Sequence, residues 1–333
     1  FENRSGDPVF TGALEQALNV AMEGASFVSA YPRGDAVRLT STFTNAPGSL
    51  TAENAQLVAF REGIQVVLAG SIESADGGYL LSLRQFAPGS PEPVITTSEH
   101  ADNKVEVLAA IGQLAERVRR SMGDQTPSEK LLAETFTAAN FEAVRAYTTA
   151  QQLSQDQKDE EAIQFYRQAI TADPTFGRAY SGLAASLSDL GRTKEAEAMW
   201  AEALQRIDGM TPREKLRTRG GYYMQIDNDY PRAIETYQQL VKEYPADSAG
   251  HNNLAVALFN QLDFTGAFRE GLKAIDIYPK SSKYRSNYAL YAMYAGHVVT
   301  ATETSQALIK DDPSLASAYL PLAMSALLTG NVA

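Results

Sequence analysis

The sequence predicts an α/β domain followed by an all-α array of helical repeats. Three observations carry this. Runs rich in β-branched residues, two of them joined by Asp76-Gly77-Gly78, are confined to the first third of the chain. Strand signals stop near Pro127. Beyond it, a pattern of small and large residues returns at intervals of 34 positions, the mark of a repeat architecture. The expected divisions are 1–124 for the α/β domain, 125–140 for a linker or first helix, and 141–333 for about five repeats plus a final single helix.

The first domain reads as α, β, α, β, β, β, α. Leu14, Leu18 and Met22 share one helix face with Ala17 and Ala21 beside them. Phe27 to Tyr31 is a strand candidate closed by Pro32. Residues 51–62 form a helix with Thr51 as N-cap, and Gly63 ends it. Ile64 to Ile72 is the clearest strand. Asp76-Gly77-Gly78 tolerates the positive φ of a tight hairpin, and Tyr79 to Phe86 is the return strand. Val94 to Ser98 is a third strand, and Asn103 to Met122 a closing helix with an apolar stripe of Val107, Leu108, Ile111, Leu114, Ala115 and Val118. This order makes a small mixed sheet with helices packed on it. The opening FENRSGDPVF reads as the exit of a strand, with Phe1 its last core residue. The N-terminal strand is therefore expected to be short or missing, at an edge.

The repeats align on their second (B) helices. Ala162, Tyr166, Ala169 and Pro174 make one set; Ala196, Trp200, Ala203 and Asp208 the next; then Ala233, Tyr237, Leu240 and Pro245; Ala267, Gly271, Ala274 and Pro279; and Ala301, Ser305, Leu308 and Pro313. The first (A) helices keep the same register at Tyr180, Leu183, Ala184 and Leu187, at His251, Leu254, Ala255 and Leu258, and at Tyr319, Leu322 and Ala323. Alanine lets the helices of a pair approach, the aromatic fills the space between repeats, and proline stops helix B. Three extra residues fall at Gly209 to Pro212, where Thr211 and Pro212 suit an N-cap and first helical position. This pattern resembles the tetratricopeptide repeat (TPR), and implies a TPR superhelix.

Two further resemblances follow. Phe1, Asn3, Ser5-Gly6-Asp7-Pro8, the helix after Phe10 and the stretch FREGIQVVLAGSIES make residues 1–122 similar to the TolB amino-terminal-like domain. That domain followed by TPRs looks like the C-terminal region of bacterial serine/threonine protein kinases, where a kinase domain and a membrane span come first. Adenylate cyclases and transcriptional regulators carry the same pair. The kinase resemblance implies an extracytoplasmic (periplasmic) placement; a cytoplasmic one is the alternative.

Composition narrows the chemistry. A net charge of -11 argues against nucleic acid and anionic membrane as partners. The absence of cysteine removes disulfides and thiolate chemistry. No run of about 18 apolar residues is present, so no direct membrane insertion is expected of these residues. No phosphate-binding loop or HExxH occurs, and His100, His251 and His297 lack metal-ligand spacing. Asp263-Phe264-Thr265-Gly266 reads as a turn between helices, and Asp159-Glu160-Glu161 as solvated partners of a helix dipole. No catalytic residue, metal or cofactor is assigned.

What remains is binding. TPR A helices present a concave face that can hold a protein or peptide ligand. In this register the groove residues are Arg178, Ser181, Tyr222, Gln225, Asn252, Asn253, Val256, Phe259, Lys283, Asn287, Leu290 and Met293, with Ser286 beside them. For Tyr222 and Phe259 the alternative is packing between helices. The leading reading is a non-catalytic sensory or scaffold region of a bacterial signalling protein. The alternatives are an enzyme with a site between the two halves and an assembly factor that self-associates as a homo-oligomer.

Overall fold

A computed structural model describes residues 1–31, 33–40, 50–125 and 141–330. The expected linker, 125–140, lies outside these except for its first residue, as do Pro32 and Pro127. Two compact units are present, Phe1–Thr149 with Gln168–Phe176, and Ala150–Arg167 with Gly177–Ala333.

The first unit is built on a four-stranded sheet in the order β1 (Glu2–Arg4), β2 (Val67–Ala75), β3 (Gly78–Phe86), β4 (Ile95–Ala101). β1 pairs parallel to β2, with Asn3 opposite Ile72; the other pairs are antiparallel. β1 is three residues long and lies at an edge, as the opening decapeptide implies, but Phe1 does not end it: the strand runs through Asn3 and Arg4, which pair with Ile72 and Glu73. Asp76 and Gly77 both have positive φ, 48° and 83°, the conformation a two-residue hairpin needs. Gly70 is required by packing, because a Cβ there would stand 2.5 Å from the Phe1 ring.

Helices α1 (Ala13–Met22) and α4 (Lys104–Ser121) cover one face of the sheet. Ile72, Leu81 and Leu83 from the strands and Leu14, Val107, Leu114 and Val118 from the helices are fully buried there. Asn103 caps α4 by accepting from the backbone N–H groups of Val105 and Glu106. Buried Arg119 near its end donates to the Ala21 carbonyl. α3 (Ala52–Glu62) starts at Thr51, which accepts from Asn54 N, and ends at left-handed Gly63.

Three sequence expectations need correction. Phe27 to Tyr31 is not a strand: the chain turns, with Val28 N donating to Ala25 O, and Phe27 is half exposed. No neighbouring strand among the described residues offers it a ladder. A helix without a sequence expectation, α2 (Arg33–Thr40), follows instead. β2 begins at Val67 rather than Ile64, because Ile64 packs on the Ala59, Val67 and Phe86 cluster beneath α3. β4 continues past Ser98 to Ala101, where Ala101 pairs with Tyr79.

The remaining described helices form five pairs and a last single helix: α5 (Phe141–Gln155) and α6 (Asp159–Ala172), α7 (Gly177–Asp189) and α8 (Thr193–Gln205), α9 (Pro212–Gln225) and α10 (Tyr230–Glu243), α11 (Ser248–Asn260) and α12 (Phe264–Ile277), α13 (Ser282–Tyr294) and α14 (Val298–Asp311), then α15 (Tyr319–Thr329). The repeat positions are core positions. Ala162, Ala196, Ala233, Ala267 and Ala301 are all fully buried, as are Tyr237, Leu240 and Ser305. Bulk on one helix meets absence of bulk on a neighbouring one. Tyr166 fills the space over Gly182, Trp200 that over Gly221, and Tyr237 that over Gly220. At Gly271 the exchange is reversed, and Tyr291 from the next A helix supplies the bulk, 3.1 Å from where a Cβ would lie.

The longer turn before α9 contains a 3-10 turn, Ile207–Gly209, and ends in a capping box. Thr211 accepts from Glu214 N, Glu214 accepts from Thr211 N, and Pro212 takes the first helical position. Last-helix residues Tyr319 and Ala323 are exposed rather than buried, because among the described residues no B helix follows α15. Ala318, Pro321 and Ser325 face inward in their place.

Candidate functional site

The A helices of the second unit lie side by side, α7 next to α9, α9 next to α11, α11 next to α13 and α13 next to α15. This places the residues expected to line the groove on consecutive elements. Three asparagines are brought together. Asn287 Nδ2 donates to Asn252 Oδ1 at 3.0 Å, Asn252 Nδ2 to Asn253 Oδ1 at 3.2 Å, and Asn253 Nδ2 to the buried Tyr237 hydroxyl at 3.3 Å. The chain runs from α13 to α11 to α10. Burial pushes the Tyr237 hydroxyl well above the usual phenol range, so it stays neutral. An amide carries two donors and an acceptor with two lone pairs, so this chain leaves hydrogen-bonding capacity on Asn287.

The other groove residues divide into two sets. Some are held by polar partners. Arg178 donates to Ser181 Oγ at 3.0 Å, and Ser181 is buried. Gln225 accepts from Trp200 Nε1 at 3.1 Å, which ties it to the B helix behind. The Tyr222 hydroxyl bonds Asp227, and that bond raises its pKa. The rest pack among apolar neighbours. Phe259 sits against Phe264, Tyr291 and Tyr294, with ring centroids 5.1–5.3 Å apart. Val256 packs beside Ala255, Ala267 and Tyr291. Met293 is buried with Ala292 and Ala301, and Leu290 packs on that cluster.

Lys283 behaves differently from all of these. Its Nζ lies 2.6 Å from Asp189 Oδ2, a residue 94 positions earlier at the end of α7. Burial opposes the charge on Lys283, but Asp189, with Asp159 assisting, outweighs it and raises the lysine pKa. A second closure lies nearby: Ser317 Oγ is 3.0 Å from Ser286 Oγ and 3.5 Å from Gln157 Oε1. Early and late repeats of this unit therefore meet through side chains.

Asp159 overturns an expectation. It opens α6 but is not solvated: it is 9% exposed, while Glu160 and Glu161 are exposed. Burial raises its pKa; Ser186 and Ser154 hydrogen-bond its carboxyl and oppose that rise, and the charge of Asp189 adds to it. Asp159 Oδ1 has no hydrogen-bond partner among the described residues. No sequence signal marks Asp159 or Asp189 as neighbours of Lys283, since Asp159 belongs to the first helix pair, Asp189 to the second and Lys283 to the fifth.

Two more charged groups hold the array together. Asp247, fully buried, caps α11 through Gly250 N and receives Arg213 Nε and Arg217 Nε, each at 2.8 Å. Burial alone would raise its pKa, but the two guanidinium groups win and hold it well below the usual carboxylate range. His251 is buried. Its Nδ1 is 2.7 Å from Glu270 Oε2 and its Nε2 is 3.1 Å from the Pro245 carbonyl. It borders a cavity of about 530 Å³ among α10, α11 and α12. Asp263 accepts from Gly266 N and caps α12, which is the turn role read from the sequence. Among the described residues, no three His, Cys, Asp or Glu side chains are grouped to hold a metal ion. Among them no helix is long and apolar enough to cross a membrane.

Comparison with known proteins bears on the second unit. The tetratricopeptide repeat family matches residues 177–207 and 227–282. No relative is found among curated proteins. Among solved structures, YrrB, described as a TPR protein with an unusual peptide-binding site, is 21% identical with a TM-score of 0.33, over 53% of this chain and 90% of its own. PilW, a type IV pilus biogenesis factor, is 17% identical with a TM-score of 0.41, over 57% of this chain and 87% of its own. TTC0263, a thermophilic TPR protein in Thermus thermophilus, is 14% identical with a TM-score of 0.42, over 56% of this chain and 99% of its own. By the family match, the helical array contains tetratricopeptide repeats.

Proposed function

We propose that the helical array is a non-catalytic scaffold that holds a protein or peptide segment along its A helices. The observation that carries this is the amide chain from Asn287 through Asn252 to Asn253 on adjacent A helices. Asn287 and Asn253, held in place by the buried Asn252 between them, can pair with the backbone of an extended peptide whatever its sequence. The repeat-family match at residues 227–282, which spans the Asn252 and Asn253 positions, supports the same reading. Arg178, Tyr222, Phe259 and Lys283 are proposed to add side-chain selectivity along the groove.

The wider proposal is a regulatory region of a bacterial signalling protein of the serine/threonine kinase type. It rests on the TolB-like resemblance of residues 1–122 followed by repeats, and on the mixed sheet that the first unit contains. A stand-alone assembly factor would use the same array.

A peptide array probed with the purified chain tests the groove. Asn287→Ala and Tyr222→Ala are expected to weaken captured peptides at least about tenfold, the scale of one or two lost charge-free hydrogen bonds or contacts. Capture unaffected by both substitutions would remove the A-helix face as the binding site.

A further inference from the structure

Lys283 and Asp189 each sit at the wrong end of a helix. Lys283 is the second residue of α13, where the positive end of the helix dipole disfavours a cation. Asp189 is the last residue of α7, where the negative end disfavours an anion. Neither charge serves its own helix. They are compatible only because they meet, at 2.6 Å, across three repeats. Both remain about one-third exposed, at 32% and 35%, and ion pairs of that exposure add little net stability.

Behind the pair is a built anionic wall. Asp159 is nine-tenths buried, its Oδ1 is unpartnered, and its charge acts on Lys283. Ser154 and Ser186 line the same wall, with their hydroxyl oxygens 3.4 Å apart. A carboxylate left short of partners favours any donor that can reach it.

We propose that Asp189, Asp159, Ser154 and Ser186 form a pocket for a cationic side chain of a bound peptide, lysine or arginine, and that Lys283 is its resident occupant in the free protein. An incoming ammonium or guanidinium group takes the place of Lys283 on Asp189, and Lys283 turns to solvent. The exchange replaces one partly exposed ion pair by another, so it costs little. The ligand adds donors for the buried, unpartnered Asp159 oxygen. The array is then selective for basic peptides, and its own lysine sets the threshold for entry. The peptide part of this proposal rests on the groove reading above; the pocket itself does not.

Chemical rescue tests the pocket without a known ligand. In the full chain, Lys283→Ala is expected to bind n-butylammonium saturably, read as a rise in thermal midpoint and as NMR shifts. Wild type should respond at least about tenfold more weakly, the scale set by competition with the resident lysine. Tetramethylammonium and sodium chloride at equal ionic strength should not reproduce the effect. Adding Asp189→Asn to Lys283→Ala should abolish it. A folded Lys283→Ala chain that treats butylammonium like sodium overturns the proposal. Should that variant fail to fold, Lys283→Gln carries a second comparison, on a peptide array in which each lysine is replaced by norleucine. The lysine peptides are expected to be favoured at least about tenfold by Lys283→Gln, and not when Asp189→Asn is added; equal capture overturns the pocket, and no capture of either set overturns the peptide part of the proposal. Butylammonium binding with no peptide captured by any chain would instead refute the groove reading and leave the pocket standing.

Discussion

At the scale of single residues, the strongest prediction concerns Asp247. It is wholly buried and takes hydrogen bonds from two arginines and one backbone N–H. Removing it leaves Arg213, itself nearly buried, without its anion. Breaking a buried pair from one side costs about 3–5 kcal/mol, so Asp247→Ala should lower unfolding free energy by that order in a urea titration. The pH dependence has a fixed sign. The folded pKa is depressed, so the contribution is complete above the unfolded value, about 3.9, and is lost as pH falls below it toward the folded value. The difference between wild type and variant should therefore be flat near neutrality and shrink in acid. Glu270 obeys the same sign on a smaller scale: burial opposes its ionisation, but His251 and Lys273 outweigh it and depress its pKa. Glu270→Gln should cost about 1–3 kcal/mol at neutral pH, with the gap closing as pH falls below about 4.3.

At the scale of elements, stability depends on bulk exchanged between neighbouring helices. Trp200 on α8 is buried and lies against Gly221 on α9. Gly221→Val would overlap the indole, and overpacking of this kind costs about 1–3 kcal/mol. A compensating Trp200→Leu should recover part of that loss, and a double-mutant cycle by denaturation would show it. Additive losses would mean that the two helices do not share the space. These exchanges also explain what could be read without a structure. Ala196, Trp200 and Ala203 recur at a fixed interval because each repeat solves the same packing problem, so the positions are written locally in the chain. Thr211 and Pro212 are legible for the same reason, since a cap acts within one turn. Phe27 to Tyr31 is not. Its composition suits a strand, but strand formation needs a partner with a free edge, and no local pattern announces that. The burial of Asp159 is equally hidden: its place at the start of α6 fits a solvated dipole partner, and only Ser154, Ser186 and Asp189, brought in by other helices, make it an interior group.

At the scale of the whole chain, the compact units do not follow the boundary suggested by composition. The expected boundary falls at residue 124, yet the first unit extends through Thr149 and takes in Gln168–Phe176. Local composition records where strands end, whereas a compact unit ends where apolar surface has been covered. Phe10 shows the difference. It is fully buried, and it packs edge-on against two rings, Tyr79 at 5.1 Å and Phe141 at 5.2 Å. Phe141 opens α5, the first helix of the array, and is itself buried. Tyr147 on the same helix packs against Phe176 at 4.8 Å. A fragment ending at residue 125 would lose the Phe141 ring from Phe10, and a large buried side chain contributes about 1.5–3 kcal/mol. A fragment ending at residue 176 would keep both contacts. For a fragment of 176 residues, about 1 kcal/mol moves the thermal midpoint by about 2–4 °C. Fragment 1–176 should accordingly melt at least several degrees above fragment 1–125, and Phe141→Ala within the longer fragment should remove most of the difference. Equal midpoints would show that the sheet and its helices are complete without the first helix pair, which would restore the compositional boundary as the physical one.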